Sequence, residues 1–374
     1  MDFRKLVAPA LALILAGSVG GGIWYSHHQV NDDRSAAEAA SAERASHVEL
    51  RGQIGSEKES YFADPSVQKA LARLGITTLT EKVGSRTIVN NFDAKKYDFG
   101  FPSGAPAAAA LRQKAKVSTV YTPFYTPIVF ASWRPIAEIL VSNGIAQREG
   151  DVYYVTDLPA LIGLVAKGTR WRELKASTAF PTNKAVLVNS TDVRTSNSAA
   201  MYLSLASYIV NEQQVVESQQ DLDRVLPIVA PLFLHQGFQE SSSAAPFEDY
   251  LALGMGKSPM LVAYESQLIE FWLRHPDRIK SDMVILYPRP TVFSKHVLVP
   301  YTPAGARLGA ALETDAELQR LAHEYGYRTG GTVKGPEEWA KRGIAVPEVL
   351  VDVIDPPSYE WLERMIQDIE SRFK

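Results

Sequence analysis

Small polar side chains recur where an extended run gives way to a helical one, and Thr195-Ser196-Asn197-Ser198 is the densest case. The apolar run "KAVLVNSTD" precedes it and has strand character. Ala199, Met201, Tyr202, Leu205, Ala206 and Ile209 follow at helical spacing. Serine and asparagine cap helices because their side chains satisfy free backbone N–H groups. A helix start also carries a partial positive charge, so the same turn is able to hold an anion or a ligand's oxygens. Ordinary capping explains any single such turn. The pattern, however, returns at Ser56 after "HVELRGQI", at Ser85-Arg86 after "ITTLTEKV", and at Ser103-Gly104 after "KYDFGFP".

Catalytic chemistry finds less support. The seven histidines, His27, His28, His47, His235, His275, His296 and His323, show no metal-ligand spacing. No G-x-S-x-G, H-E-x-x-H or P-loop pattern occurs, and no base is suggested beside any serine. Cysteine is absent, which removes thiol catalysis, disulfides and zinc–thiolate sites together. The expectation is a binding protein, not an enzyme, with no cofactor and no metal.

The chain is 374 residues long, 46% hydrophobic and 22% charged, enough for two domains of ordinary size. A formal charge of −3 offers no basic field for nucleic acid. Arg4 and Lys5 precede Leu6–Tyr25, a run without a charged residue. At about 1.5 Å per residue that run reaches across a bilayer core of roughly 30 Å. Trp24 and Tyr25 fall at the interface, and the positive flank places the body outside the cytoplasm. Residues 1–30 are thus expected to be a single-pass anchor, with a cleaved signal peptide as the competing reading. The polar, Ala- and Glu-rich residues 31–46 form a stalk.

From residue 47 onward, strand-like and helical stretches alternate, which argues a mainly parallel α/β sheet. "VSTVYTPFYTPIVFASW" is extended and interrupted by Pro123 and Pro127, and "DMVILYPRPTVFSKHVLVPY" gives two more extended runs. Gln239 to Tyr250 is the expected mobile loop, and "PPSYEWLERMIQDIESRF" a closing amphipathic helix.

These pieces, in order, resemble the type II periplasmic solute-binding proteins, nearest the molybdate-, sulfate- and phosphate-binding subgroup. The stretches that carry the resemblance are "GSEK", "GSR", "FGFPSG", "YTPIVFASWRPIAEIL", "DVRTSNSAAMYLSLASY", "YESQLIEF", "VILYPRPTVFSKHVLVPY" and "DAELQRLAHEYGYR". The resemblance implies two α/β lobes, each a mainly parallel sheet flanked by helices, joined by crossovers near Pro127 and at Pro288–Thr291. Residues 47–127 and 290–374 would form lobe 1, and 128–289 lobe 2. A small polar solute, with oxyanions among the candidates, would lie between them beyond the strand ends.

The expected ligand contacts are Ser56, Ser85, Ser103, Gly104, Ser196, Asn197 and Ser198 as hydrogen-bonding groups, and Arg86 as a neutralising charge or as the partner of a local carboxylate. Tyr125 and Tyr264 would be pocket walls or hinge packing. Glu57 and Glu265 would repel an oxyanion unless paired, protonated or turned outward; pointing inward, they favour a ligand with an amine or hydroxyl. The implied partners are an ABC-type permease or a sensing partner at the membrane. The alternative is a solute-binding-like domain serving as a protein-interaction or sensor module.

Overall fold

The computed structural model describes residues 47–330 and 335–373. The expected anchor and stalk, residues 1–46, lie outside the described residues. Among the described residues no helix is long and apolar enough to cross a membrane.

The chain begins with β1 (Val48–Ile54), α1 (Glu59–Ala63), α2 (Pro65–Arg73), β2 (Ile76–Lys82), α3 (Ser85–Asn90), β3 (Phe99–Phe101) and α4 (Ala105–Ala115). The long strand β4 (Tyr121–Trp133) then leads to α5 (Arg134–Ser142), β5 (Ala146–Glu149), β6 (Val152–Val155) and α6 (Leu158–Ala166). Next come α7 (Asn197–Val210), α8 (Gln219–Leu234), α9 (Ala244–Leu253), β7 (Met260–Tyr264), α10 (Glu265–Arg274) and β8 (Met283–Pro288). The return strand β9 (Thr291–Pro300) is followed by α11 (Pro303–Thr314), α12 (Ala316–Glu324), α13 (Gly335–Lys341), β10 (Val353–Ile354) and α14 (Tyr359–Arg372).

Two lobes result because β4 changes partners along its length. Its first half, Tyr121 to Pro127, runs antiparallel to β9, while Ile128 to Trp133 pairs antiparallel with β7 on one side and β8 on the other. The first lobe adds β2, β1 and β3 in parallel, with β3 antiparallel to β9. The second adds β6 parallel to β8 and β5 antiparallel to β6. Both sheets are therefore mixed, not mainly parallel, since every partner of β4 runs against it.

Helix starts are set locally. Asp64 caps α2 by accepting from the Ser66 N–H, Asp157 caps α6, and Asp315 caps α12; prolines occupy the first turns of α2 and α6. Two expectations fail. "KAVLVNSTD" makes only isolated bridges, Arg170–Ala185 and Asn189–Leu261, because it runs at the outer edge of β7. The expected mobile loop from Gln239 instead turns helical at Ala244, where Phe247 and Tyr250 bury against the core and the Tyr250 hydroxyl donates to the Ser132 carbonyl.

Apolar packing divides likewise. Tyr61, Phe62, Phe99, Phe124 and Leu308 belong to the first lobe's core, and Phe130, Trp133, Leu161, Phe233 and Leu286 to the larger one of the second. The C-terminal segment was expected with the first lobe. Its apolar residues Trp339, Ile344, Ile354, Leu362, Met365, Ile366 and Ile369 join the larger cluster instead. Helix α14 packs on α7 and α8 of the second lobe and on α4 of the first.

Candidate functional site: an interlobe cleft

The strand-to-helix turns of both lobes face one another. Ser56 and Glu57 after β1 and Gly84, Ser85 after β2 come from the first lobe. Thr195, Ser196 and Asn197 at the start of α7, Tyr264 at the end of β7, and Ser241 to Ser243 come from the second. Together they line a cavity of about 340 Å³. A second cavity of about 530 Å³ adjoins it at Ser56, Glu57 and Ser243 and continues past Ser60, Phe247, Gln267, Glu270 and Phe271. The two form one cleft in the size range of small-molecule sites.

Glu57, in the wall shared by both chambers, is the charged centre. Its Oε1 accepts from Lys58 Nζ at 2.5 Å and from the Ser103 hydroxyl. Lys58 is fully buried, and its ammonium also donates to Ser103 Oγ at 2.8 Å and faces His296 Nδ1 at 3.1 Å. Its three N–H groups thus meet three acceptors. Burial alone would raise the Glu57 carboxyl, but the ammonium beside it and the bonds from Lys58 and Ser103 hold it down to about 2. Burial pushes Lys58 down, opposed by Glu57. Burial and the Lys58 charge push His296 well below the usual imidazole range, so it stays neutral and accepts at Nδ1. Its Nε2 finds no partner among the described residues and sits among the rings of Phe124 and Tyr327. The cluster is therefore an ion pair of zero net charge with its carboxylate at the cleft. At Glu270, also in the cleft wall, burial raises the carboxyl to about 7 against the opposing pull of Arg274.

Asn197 closes the cleft at one point. Its Nδ2 donates to the Ser103 carbonyl at 2.9 Å and to Tyr264 Oη at 3.0 Å, with Ser294 Oγ at 3.4 Å. Ser103 and Ser294 belong to the first lobe and Tyr264 to the second. Backbone approach is close on both sides: a Cβ on Gly104 would lie 2.5 Å from Asn197 Oδ1, and one on Gly84 2.6 Å from the Thr195 carbonyl oxygen. Gly104 and Gly84 are small because a facing lobe occupies the space.

Of the expected ligand contacts, Ser56, Glu57, Ser85, Ser196, Asn197 and Tyr264 line the smaller chamber. Ser103 lies beneath it, fully buried, with Ser85 Oγ accepting from its N–H at 3.0 Å. Four residues lie elsewhere. Arg86 turns to the C-terminal helix, donating to Glu363 at 2.9 Å and to the Arg194 carbonyl at 3.1 Å, so its charge is spent outside the cleft. Ser198 faces into the second lobe and bonds Thr191 and Ser196 hydroxyls at 2.9 and 3.0 Å. Tyr125 packs on Phe293 and pairs through its backbone with Arg328. Glu265, the first residue of α10, is buried and held by Arg328 at 2.7 and 2.8 Å and by the Tyr287 hydroxyl at 2.7 Å. Two further Arg328 N–H groups donate to the carbonyls of Pro347 and Glu348, so this ion pair ties the hinge region to the C-terminal segment.

Sequence reasoning missed Lys58, His296, Ser294 and Glu270. Lys58 carried a signal, a lysine directly after the acidic residue in the first strand-to-helix turn. His296 and Ser294 alternate along β9 with nothing to mark them, and Glu270 looks like any surface glutamate of an amphipathic helix.

No protein-family model matches the sequence, and no curated protein matches it significantly. Solved structures do. Iron-bound HitA from Pseudomonas aeruginosa is similar at 11% identity and a TM-score of 0.57, covering 86% of this chain and 99% of that one. The periplasmic binding protein AfuA from Actinobacillus pleuropneumoniae, with fructose-6-phosphate bound, is similar at 12% identity and a TM-score of 0.55, covering 87% and 98%. An ABC transporter solute-binding protein from Thermotoga lettingae, bound with α-D-tagatose, is similar at 11% identity and a TM-score of 0.51, covering 87% and 95%. The fold is that of the type II periplasmic solute-binding proteins. Three such different ligands on one fold leave the chemistry to be argued from the cleft itself.

Proposed function

We propose that the chain is a membrane-tethered, extracytoplasmic solute-binding protein whose lobes close on a small polar ligand bearing hydroxyl or ammonium groups. Residues 1–30 supply the tether in this reading. An ABC-type permease or a sensing partner receives the loaded protein. The observation that carries it is the placement of an ionised Glu57 in the wall shared by two interlobe chambers lined by small polar side chains. Lys58 already balances that charge, and Lys82, the cation lining the smaller chamber, pairs with Glu59 at 2.6 Å. In the smaller chamber a free tetrahedral oxyanion would meet that carboxylate with no unpaired lining cation to offset it, while the larger chamber's one arginine, Arg278, is exposed and lies over the Phe271 ring. A hydroxyl or ammonium donates to that carboxylate instead.

A thermal-shift screen of polyols, sugars, amino acids, amines and oxyanions tests this. A solute that binds only the folded chain raises its stability by about 2.7 kcal/mol at a hundredfold excess over its dissociation constant. The expected hits donate hydrogen bonds, and Glu57→Gln weakens them. A hit confined to sulfate, molybdate or phosphate would reject the ligand class. A well-folded protein with no hit would favour the second reading, a sensor or protein-interaction domain, which the bridging of both lobes by α14 supports.

A further inference from the structure

A separate cavity of about 490 Å³ shares no residue with either interlobe chamber. It opens where the end of α10 and the turn after it meet the start of β8 and residues 342–345 of the C-terminal segment. Its apolar lining comes from Trp272, Leu273, Ile279, Met283, Ile285 and Ile344. Three cations stand in the same wall: Arg134, Lys280 and Arg342, all exposed.

Neutralisation of those charges is incomplete. Arg134 donates to the Ser281 carbonyl at 3.3 Å, and Lys280 to the Leu251 carbonyl at 3.0 Å while lying over the Trp133 ring. Main-chain oxygens satisfy donors without cancelling charge. The single carboxylate in the lining, Asp151, is held by Arg148 at 2.9 Å. Arg342 acts at a distance on Glu338, which pairs with Lys341 at 2.6 Å. Trp272 in the cavity wall is half-buried as a residue, and its Nε1, itself buried, has no acceptor among the described residues.

An apolar lining beside three uncompensated cations is complementary to one kind of occupant. We infer that this cavity binds a small organic anion, a carboxylate on an aliphatic body, with the carboxylate among Arg134, Lys280 and Arg342 and the hydrocarbon against Trp272 and Ile344. The interlobe cleft differs in its charged lining: Glu57, Glu248 and Glu270 stand there beside the single arginine Arg278, whereas this cavity carries three cations and one paired carboxylate.

The purified full chain titrated with ω-bromooctanoate, kept below micelle-forming concentration, tests the inference, because bromine quenches a neighbouring indole. Saturable quenching is expected. Trp272→Phe should remove that component while calorimetric binding persists, and Arg134→Ala/Arg342→Ala should weaken binding at least tenfold with an unchanged melting temperature. Arg342→Ala alone serves if the double variant fails to fold. The neutral ω-bromooctanol should not saturate in the same range. Equal quenching by the alcohol, quenching that survives Trp272→Phe, or full affinity in the arginine variants would overturn the assignment.

Discussion

Asn197, in the first turn of α7, donates across the cleft from its side-chain amide to the carbonyl oxygen of Ser103, 2.9 Å away. One lobe thus grips the other through a side chain in the cleft wall, and the approach depends on residues without a Cβ. At Gly84 the obstacle to a side chain is the Thr195 backbone carbonyl, which has no freedom to swing aside.

Gly84→Ala should therefore keep the lobes from closing while each remains folded. The expected result is a larger radius of gyration by solution scattering, a solute affinity at least tenfold lower, and a nearly unchanged melting temperature. Gly104→Ala meets only the tip of Asn197 and should act more mildly. Unchanged scattering and affinity in Gly84→Ala would show that closure does not use this contact.

Lys58→Met should leave the Glu57 carboxylate buried and unpaired, at a cost of about 3–5 kcal/mol. Adding Glu57→Gln should recover most of that loss, because no isolated charge then remains. Urea unfolding of the wild type, both single variants and the pair gives the comparison; additive losses would contradict the pairing.

Acid should weaken the fold in two stages. Glu57 has a folded pKa of about 2 against an ordinary 4.5, so its contribution is whole above pH 4.5 and is lost as pH falls toward 2. His296 is depressed below its ordinary 6.5, so the unfolded chain takes up a proton first and stability begins to fall below about pH 6.5. Unfolding free energy measured against pH should lose its upper limb in His296→Gln and its lower limb in Glu57→Gln.

Glu265→Ala should destabilise by about 3–5 kcal/mol by stranding the buried Arg328 guanidinium. It should leave solute affinity unchanged, because Glu265 faces the hinge and not the cleft. A matching loss of affinity would return Glu265 to the ligand site.

Ile366→Asp places a charge in the buried face of α14. Hydrogen exchange should then quicken in both α4 and α8, since this helix packs on one from each lobe. A response confined to α8 would assign α14 to the second lobe alone.

Helix starts and stops in this protein are legible residue by residue along the chain. Asp64 and Asp157 cap helices through their own side chains, local hydrogen-bond choices made within a few residues, and the turns at Ser56, Ser85 and Asn197 begin helical segments without a side-chain cap. The family resemblance carried by that order of elements implies two lobes joined by extended crossovers, with a cleft between their turns. The electrostatics arise only when distant parts of the chain meet. Arg86 and Glu363 are 277 positions apart, as Lys58 and His296 are 238, and no short-range pattern marks either pair. Glu57 and Glu265 look alike in sequence, an acid at a helix start. Burial beside Lys58 puts one in the cleft wall, while Arg328 holds the other in the interior at the start of α10, because a buried charge goes where its counter-charge is.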